Sequence, residues 1–187
     1  MPTRPAVIGV AVLLALSGCS SPPEKTAPIV TPVPEVSLAE LPAASAGGAC
    51  ILWDYDFIEQ TIGVRFAVAA ADQVEDTSSC VVQTMSAPWP DLSLSVVETT
   101  TANADVFLAE RMPDKAAKLT GLGRAGYRLT TKAAGGHGPT VEIGWLSEAK
   151  QLQTLRYTFP KDATAAQVKD MNTKLLDLAK ALSTTNG

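Results

Sequence analysis

The sequence predicts an α+β fold, a mainly antiparallel sheet packed against helices in a single domain, and three observations carry that expectation. Leu92-Ser93-Leu94-Ser95-Val96 alternates with period two, as a strand with one buried face does. Three later runs of strand formers, residues 126–131, 140–146 and 152–159, are separated by hairpin-length connections. Beyond them, Val168, Met171, Leu175, Leu178, Ala179 and Leu182 recur at helical spacing, with Lys169, Asp170, Lys174 and Asp177 elsewhere around the helix. Helices before, between and after hairpin-linked strands give helices on an antiparallel sheet.

Taken in order, Asp56 and Glu59 resemble a capping box for a short helix over Phe57, Ile58 and Ile62, which Gly63 ends. Val64 to Ala70 and Cys80 to Thr84 read as strands. Asn103 caps a helix expected to bury Val106, Phe107 and Met112 before Pro113 stops it. A glycine-rich loop, Ala133 to Gly138, joins the next two strands, and the polar turn Ser147-Glu148-Ala149-Lys150 joins the last two. Thr164 and Gln167 form a capping box ahead of the long C-terminal helix.

Composition divides the chain before residue 49. Ser20 to Gly48 holds six prolines among small residues, too little apolar surface to offset its ordering entropy. It reads as a tether with a maximum reach of about 90 Å at polyproline rise. Met1 to Arg4 followed by eleven apolar residues, Ala6 to Leu16, has the form of a secretory signal. That run is shorter than the roughly 20 residues a membrane-spanning helix needs. The expected organisation is a signal peptide over 1–18, a tether over 19–48 and a globular domain over 49–187. Residues 1–18 hold one of the 15 basic side chains and none of the 19 acidic ones, so the rest carries a formal charge of −5. An acidic surface without a cationic cluster gives no support for nucleic acid as a partner or for a polybasic membrane grip.

Gly121-Leu122-Gly123-Arg124-Ala125-Gly126 matches the glycine string of dinucleotide sites. That chemistry requires a strand before the glycines and a helix after them. Here the strand-forming run Tyr127 to Thr131 follows, so the string reads as a glycine turn feeding a strand. His137, flanked by glycines, is the single histidine, and no G-x-S-x-G elbow accompanies it. Asp54, Asp56 and Glu59 lie where negative charge favours a helix start, which explains them without catalysis. No catalytic residue, metal set or cofactor is expected. Trp89, between Pro88 and Pro90, is the tryptophan expected to be most exposed and the candidate binding residue.

Leu16-Ser17-Gly18-Cys19 resembles the bacterial lipobox. The resemblance implies that Cys19 is acylated, with chains of the palmitate type, and becomes the new N-terminus. Two or three acyl chains hold a protein durably, at about 0.8 kcal/mol per buried methylene. With Cys19 carrying lipid, Cys50 and Cys80 remain as an even pair in an oxidising compartment. A disulfide between them is expected, with two buried thiols as the alternative. The short helix after Cys50 ending at Gly63, the strand opened by Cys80, the Gly121-Leu122-Gly123 turn running into Tyr127 and the leucine-rich last helix together resemble actinobacterial envelope lipoproteins carrying a domain of unknown function. The resemblance covers residues 50–183 and implies a lipid-anchored domain on the extracytoplasmic face of the cell membrane. The expected function is a non-catalytic binding or accessory module for an envelope protein. A carrier of a lipid or other apolar ligand and a small hydrolase using His137 are the alternatives.

Overall fold

Hairpin connections dominate the chain, and they generate a single seven-stranded antiparallel sheet. The computed structural model describes residues 41–99 and 101–185. The signal sequence, Cys19 and the tether as far as residue 40 lie outside the described residues. The strands are β1 (Val68–Val74), β2 (Thr77–Gln83), β3 (Asp91–Val97), β4 (Ala117–Leu119), β5 (Ala125–Thr131), β6 (Thr140–Leu146) and β7 (Leu152–Thr158). Their order is β1-β2-β3-β7-β6-β5-β4, so two meanders meet where β3 pairs with β7. The helices are α1 (Tyr55–Ile62), α2 (Ala104–Glu110) and α3 (Ala165–Thr185). The architecture is α+β, as the pattern of the sequence requires.

Period-two alternation decides which residues enter the core. On one face Leu92, Leu94 and Val96 of β3 stand opposite Tyr157, Leu155 and Gln153 of β7, and these in turn oppose Val141, Ile143 and Trp145 of β6. All nine are buried. Onto this face packs α3 through Met171, Leu175, Leu178, Ala179 and Leu182. Thr164 and Gln167 cap it reciprocally, the Gln167 Oε1 accepting from the Thr164 amide at 2.8 Å and the Thr164 hydroxyl accepting from the Gln167 amide at 3.3 Å.

Helix α1 packs against α3 through Tyr55, Ile58 and Ile62, one helical stripe. Its cap differs from the expected box. Asp54, not Asp56, accepts from the amides of Asp56 and Phe57 at 2.8 and 3.0 Å, while Asp56 and Glu59 both pair with Arg65. Gly63 ends α1 in the left-handed region at φ 77°.

The first strand also departs from expectation. It starts at Val68 instead of Val64 and continues through Asp72 and Gln73 to Val74. Register explains this: the tight turn after Val74 pairs it with Thr77, so polar residues run on in the ladder. Val106 is 40% exposed, since the stripe of α2 points Phe107 inward instead. Short strand β4 and the 3-10 turns Ala43–Ala46 and Gly48–Leu52 carry no period that would announce them. Ala43 is buried in the main core, so the last residues assigned by composition to the tether pack on the domain. Cys50 and Cys80, Cα atoms 5.0 Å apart, form a disulfide that fastens the 48–52 turn to β2.

Candidate functional site

The opposite face of the sheet is rich in hydroxyls, because six of the twelve residues between the core positions of β2, β3 and β7 are Ser or Thr, with Val81, Val97 and Leu152 as its apolar members. Register lays them in rows across the strands. One row is Ser79, Ser95 and Thr154, the next is Ser93, Arg156 and Glu142, and the third is Asp91, Thr158, Thr140 and Thr131. Over β5 this face is covered by α2, whose Phe107 stacks on Tyr127 with ring centroids 5.9 Å apart.

The middle of the face holds a closed polar network. Glu142 is the one acidic residue in the buried run of β6, only 8% exposed at its side chain. A carboxylate there requires donors, and it has them on both oxygens. Oε1 accepts from the Tyr127 hydroxyl at 2.9 Å. Oε2 accepts from Arg156 Nε and from one terminal guanidinium nitrogen, at 2.9 and 2.6 Å. Arg156 keeps a side-chain exposure of 53%, so the pair has one wet partner. Burial, and then the adjacent Glu142 carboxylate, push the Tyr127 phenol well above its usual value, so it remains a donor throughout the physiological range.

Gly144 makes this network possible. A Cβ there would lie 2.4 Å from Tyr127 Cε1, so only glycine lets the ring lie across β6 and reach Glu142.

At the end of the face two loops converge. The Gln83 side chain donates to the Pro88 carbonyl at 3.2 Å and the Thr84 hydroxyl to the Ala87 carbonyl at 3.1 Å, bracing the loop that carries Trp89. The His137 turn is pinned to the end of β7 by the Gly138 amide, which donates to the Phe159 carbonyl at 2.8 Å. A Cβ at Gly138 would lie 2.0 Å from the Pro160 carbonyl oxygen, which explains that glycine. The rings of Trp89 and His137 meet with centroids 5.2 Å apart, and His137 Nδ1 donates to the Gly138 carbonyl at 2.6 Å. The local sequence around His137 offers nothing to orient its ring, yet the fold supplies both a hydrogen bond and an aromatic neighbour.

Asp91 begins β3 beside this pair. Burial raises its carboxyl above the ordinary carboxylate value, and the Thr158 hydroxyl with the charges of His137 and Arg156 only partly oppose it. The folded state therefore binds this proton more tightly than the unfolded chain. Its contribution to stability is complete below the unfolded value of about 3.8 and is lost as pH rises through the folded value. Asp91→Asn is expected to raise the melting temperature at pH 7 and to lose that advantage at pH 3. Thermal melts at the two pH values check this, and a variant less stable than the parent at pH 7 would contradict it.

Of the residues the sequence singled out, the fold brings Trp89 and His137 together and places both beside Asp91. Trp89 is half-buried and is the most exposed tryptophan, since Trp53 and Trp145 belong to the core. Asp54, Asp56 and Glu59 cap or pair at α1, away from this face. The glycine string is a turn into β5. Gly123 lies at φ 53°, and a Cβ there would meet the Leu146 carbonyl oxygen at 2.2 Å. Comparison with known proteins gives no match to a family model, to a curated protein or to a solved structure. Among the described residues no helix is long and apolar enough to cross a membrane, and no group of three or more His, Cys, Asp and Glu is placed to hold a metal ion.

The Tyr127–Glu142–Arg156 network escaped the motif reading. Its signal was Glu142 alone, an acid inside Thr140-Val141-Glu142-Ile143-Gly144-Trp145-Leu146, a run otherwise fit for a central strand.

Proposed function

We propose that the chain is a cell-envelope lipoprotein, anchored through acylated Cys19 to the extracytoplasmic face of the membrane, whose globular part is a non-catalytic binding or accessory module. The Leu16-Ser17-Gly18-Cys19 lipobox resemblance and the proline-rich tether support the anchoring. The observation that most supports binding is the hydroxyl-rich face, with Glu142 and Arg156 engaged in one another and its two aromatic rings meeting at one end. Preorganised polar groups on a rigid sheet lose little entropy on meeting a partner. The partner class we assign to that face is an envelope protein.

The carrier alternative requires volume between sheet and helices. Beneath α1 and α3 that space is filled by Phe66, Ile62, Leu94, Ile143, Leu155, Trp145, Leu175 and Leu178, each at most 2% exposed, and the volume left beside α3 at β4–β5 is lined mainly by charged and polar side chains. The hydrolase alternative would take His137 Nε2 as base, since Nδ1 donates to the Gly138 carbonyl, and among the described residues no Ser, Thr or Cys side chain is hydrogen-bonded to that ring.

Cys19→Ala is expected to release or misprocess the protein, read by cell fractionation and intact mass. A variant that stays in the membrane at mature length would contradict the anchor. For the module, Trp89→Ala is expected to weaken partner capture in a folded domain. Because the two rings touch, His137→Ala is expected to give a smaller loss of the same kind. Complete loss of function in folded His137→Ala, with Trp89→Ala silent, would favour the hydrolase.

A further inference from the structure

On the core side of the sheet, beyond the edge of α3, a cleft of about 600 Å³ opens between that helix and β4–β5. Its volume lies within the range of small-molecule sites, roughly 300–1,000 Å³. Three cations line it: Lys115, Arg128 and Lys169. No carboxylate lines it, and none of the three has a carboxylate partner among the described residues. Like charges left facing one cleft repel one another, and an anion bound among them relieves that repulsion.

The lining is positioned as well as charged. Arg128 sits in the middle of β5, held in register with Ala117 on one side and Ile143 on the other. Asn172 Nδ2 donates to the Thr130 hydroxyl at 3.2 Å, tying α3 to β5 at the cleft. Thr173 adds a further hydroxyl. A guanidinium fork, two ammonium groups and neutral donors form the donor set that recognises phosphate oxygens.

We propose that this cleft binds a small ligand bearing two or more negative charges on phosphate groups. The site lies on the opposite face of the sheet from Tyr127 and does not depend on the module reading. Its ligand comes either from free organic phosphates or from anionic phospholipid headgroups.

Calorimetric titration of the full chain in neutral detergent tests the proposal at low ionic strength. The probes are inorganic pyrophosphate and cardiolipin, whose headgroup carries two phosphates, dispersed in the same detergent, with phosphatidylcholine as the zwitterionic control. Saturable binding of pyrophosphate identifies a free phosphate ligand. Binding of cardiolipin alone identifies a headgroup, and either result supports the site. Arg128→Ala and Lys169→Ala are each expected to weaken binding about tenfold, the loss of one charge-assisted hydrogen bond, with unchanged melting temperatures. Lys161→Ala, outside the lining, is expected to leave affinity unchanged. Binding of neither probe, or equal weakening by Lys161→Ala, would overturn the proposal.

Discussion

Replacing Cys50 and Cys80 together by serine is expected to lower the stability of the domain by roughly 2–5 kcal/mol, the usual cost in a small secreted domain. The two residues are 30 apart in sequence, and closing a loop of that size removes about 3.7 kcal/mol of unfolded-chain entropy. Both side chains are fully buried, against the 48–52 turn on one side and the β1–β2 hairpin on the other. The turn has only short 3-10 hydrogen bonds of its own, so it depends on the bridge for its position. Urea denaturation of the oxidised parent, the reduced parent and the double variant measures the effect. Reduced parent and variant should agree, both well below the oxidised protein. Equal stability of all three would show that the bridge contributes nothing.

Gly144→Ala is expected to produce the second large loss, about 1–3 kcal/mol for overpacking, with the Tyr127–Glu142 hydrogen bond broken in addition. The added methyl group would lie 2.4 Å from both Tyr127 Cε1 and Cζ. Tyr127 is 5% exposed and stacked under Phe107, so its ring has no free direction in which to retreat. The strain should pass to α2, which is seven residues long and rests on that ring. Amide exchange should therefore accelerate over residues 104–110 more than over α3. Tyr127→Ala removes the clash, so the Gly144→Ala penalty should shrink in that background. A full penalty with Tyr127 absent would contradict the account.

Sequence pattern specified most of the framework, for physical reasons that differ between elements. Strand β3 and helix α3 carry a complete period and were legible, as were Asn103 as a cap and Gly63 as a stop. Strand β6 was legible in extent, though its continuous burial hides which face each residue takes. Strand β1 was misplaced because its outer half is polar, and pairing with β2, a tertiary fact, decides where it ends. At the site, Trp89 and His137 were each visible, but their contact depends on two loops 48 residues apart arriving at one end of the sheet. The Tyr127–Glu142–Arg156 network was hidden for the same reason, since only the β5-β6-β7 register joins its members. The basic cleft was invisible in composition, because a net acidic chain conceals three cations gathered by topology from a loop, a strand and a helix.

Site-specific photocross-linking in intact host cells decides whether a partner docks on the hydroxyl-rich face of the sheet. A photoreactive residue replaces Ser93 or Ser95 on that face, and in a parallel strain Lys180, exposed on α3. A discrete cross-linked species is expected from Ser93 and Ser95, absent from Lys180 and diminished by Trp89→Ala. Adducts of equal yield from both sides of the domain, or none from either serine in a correctly localised protein, would contradict docking on that face.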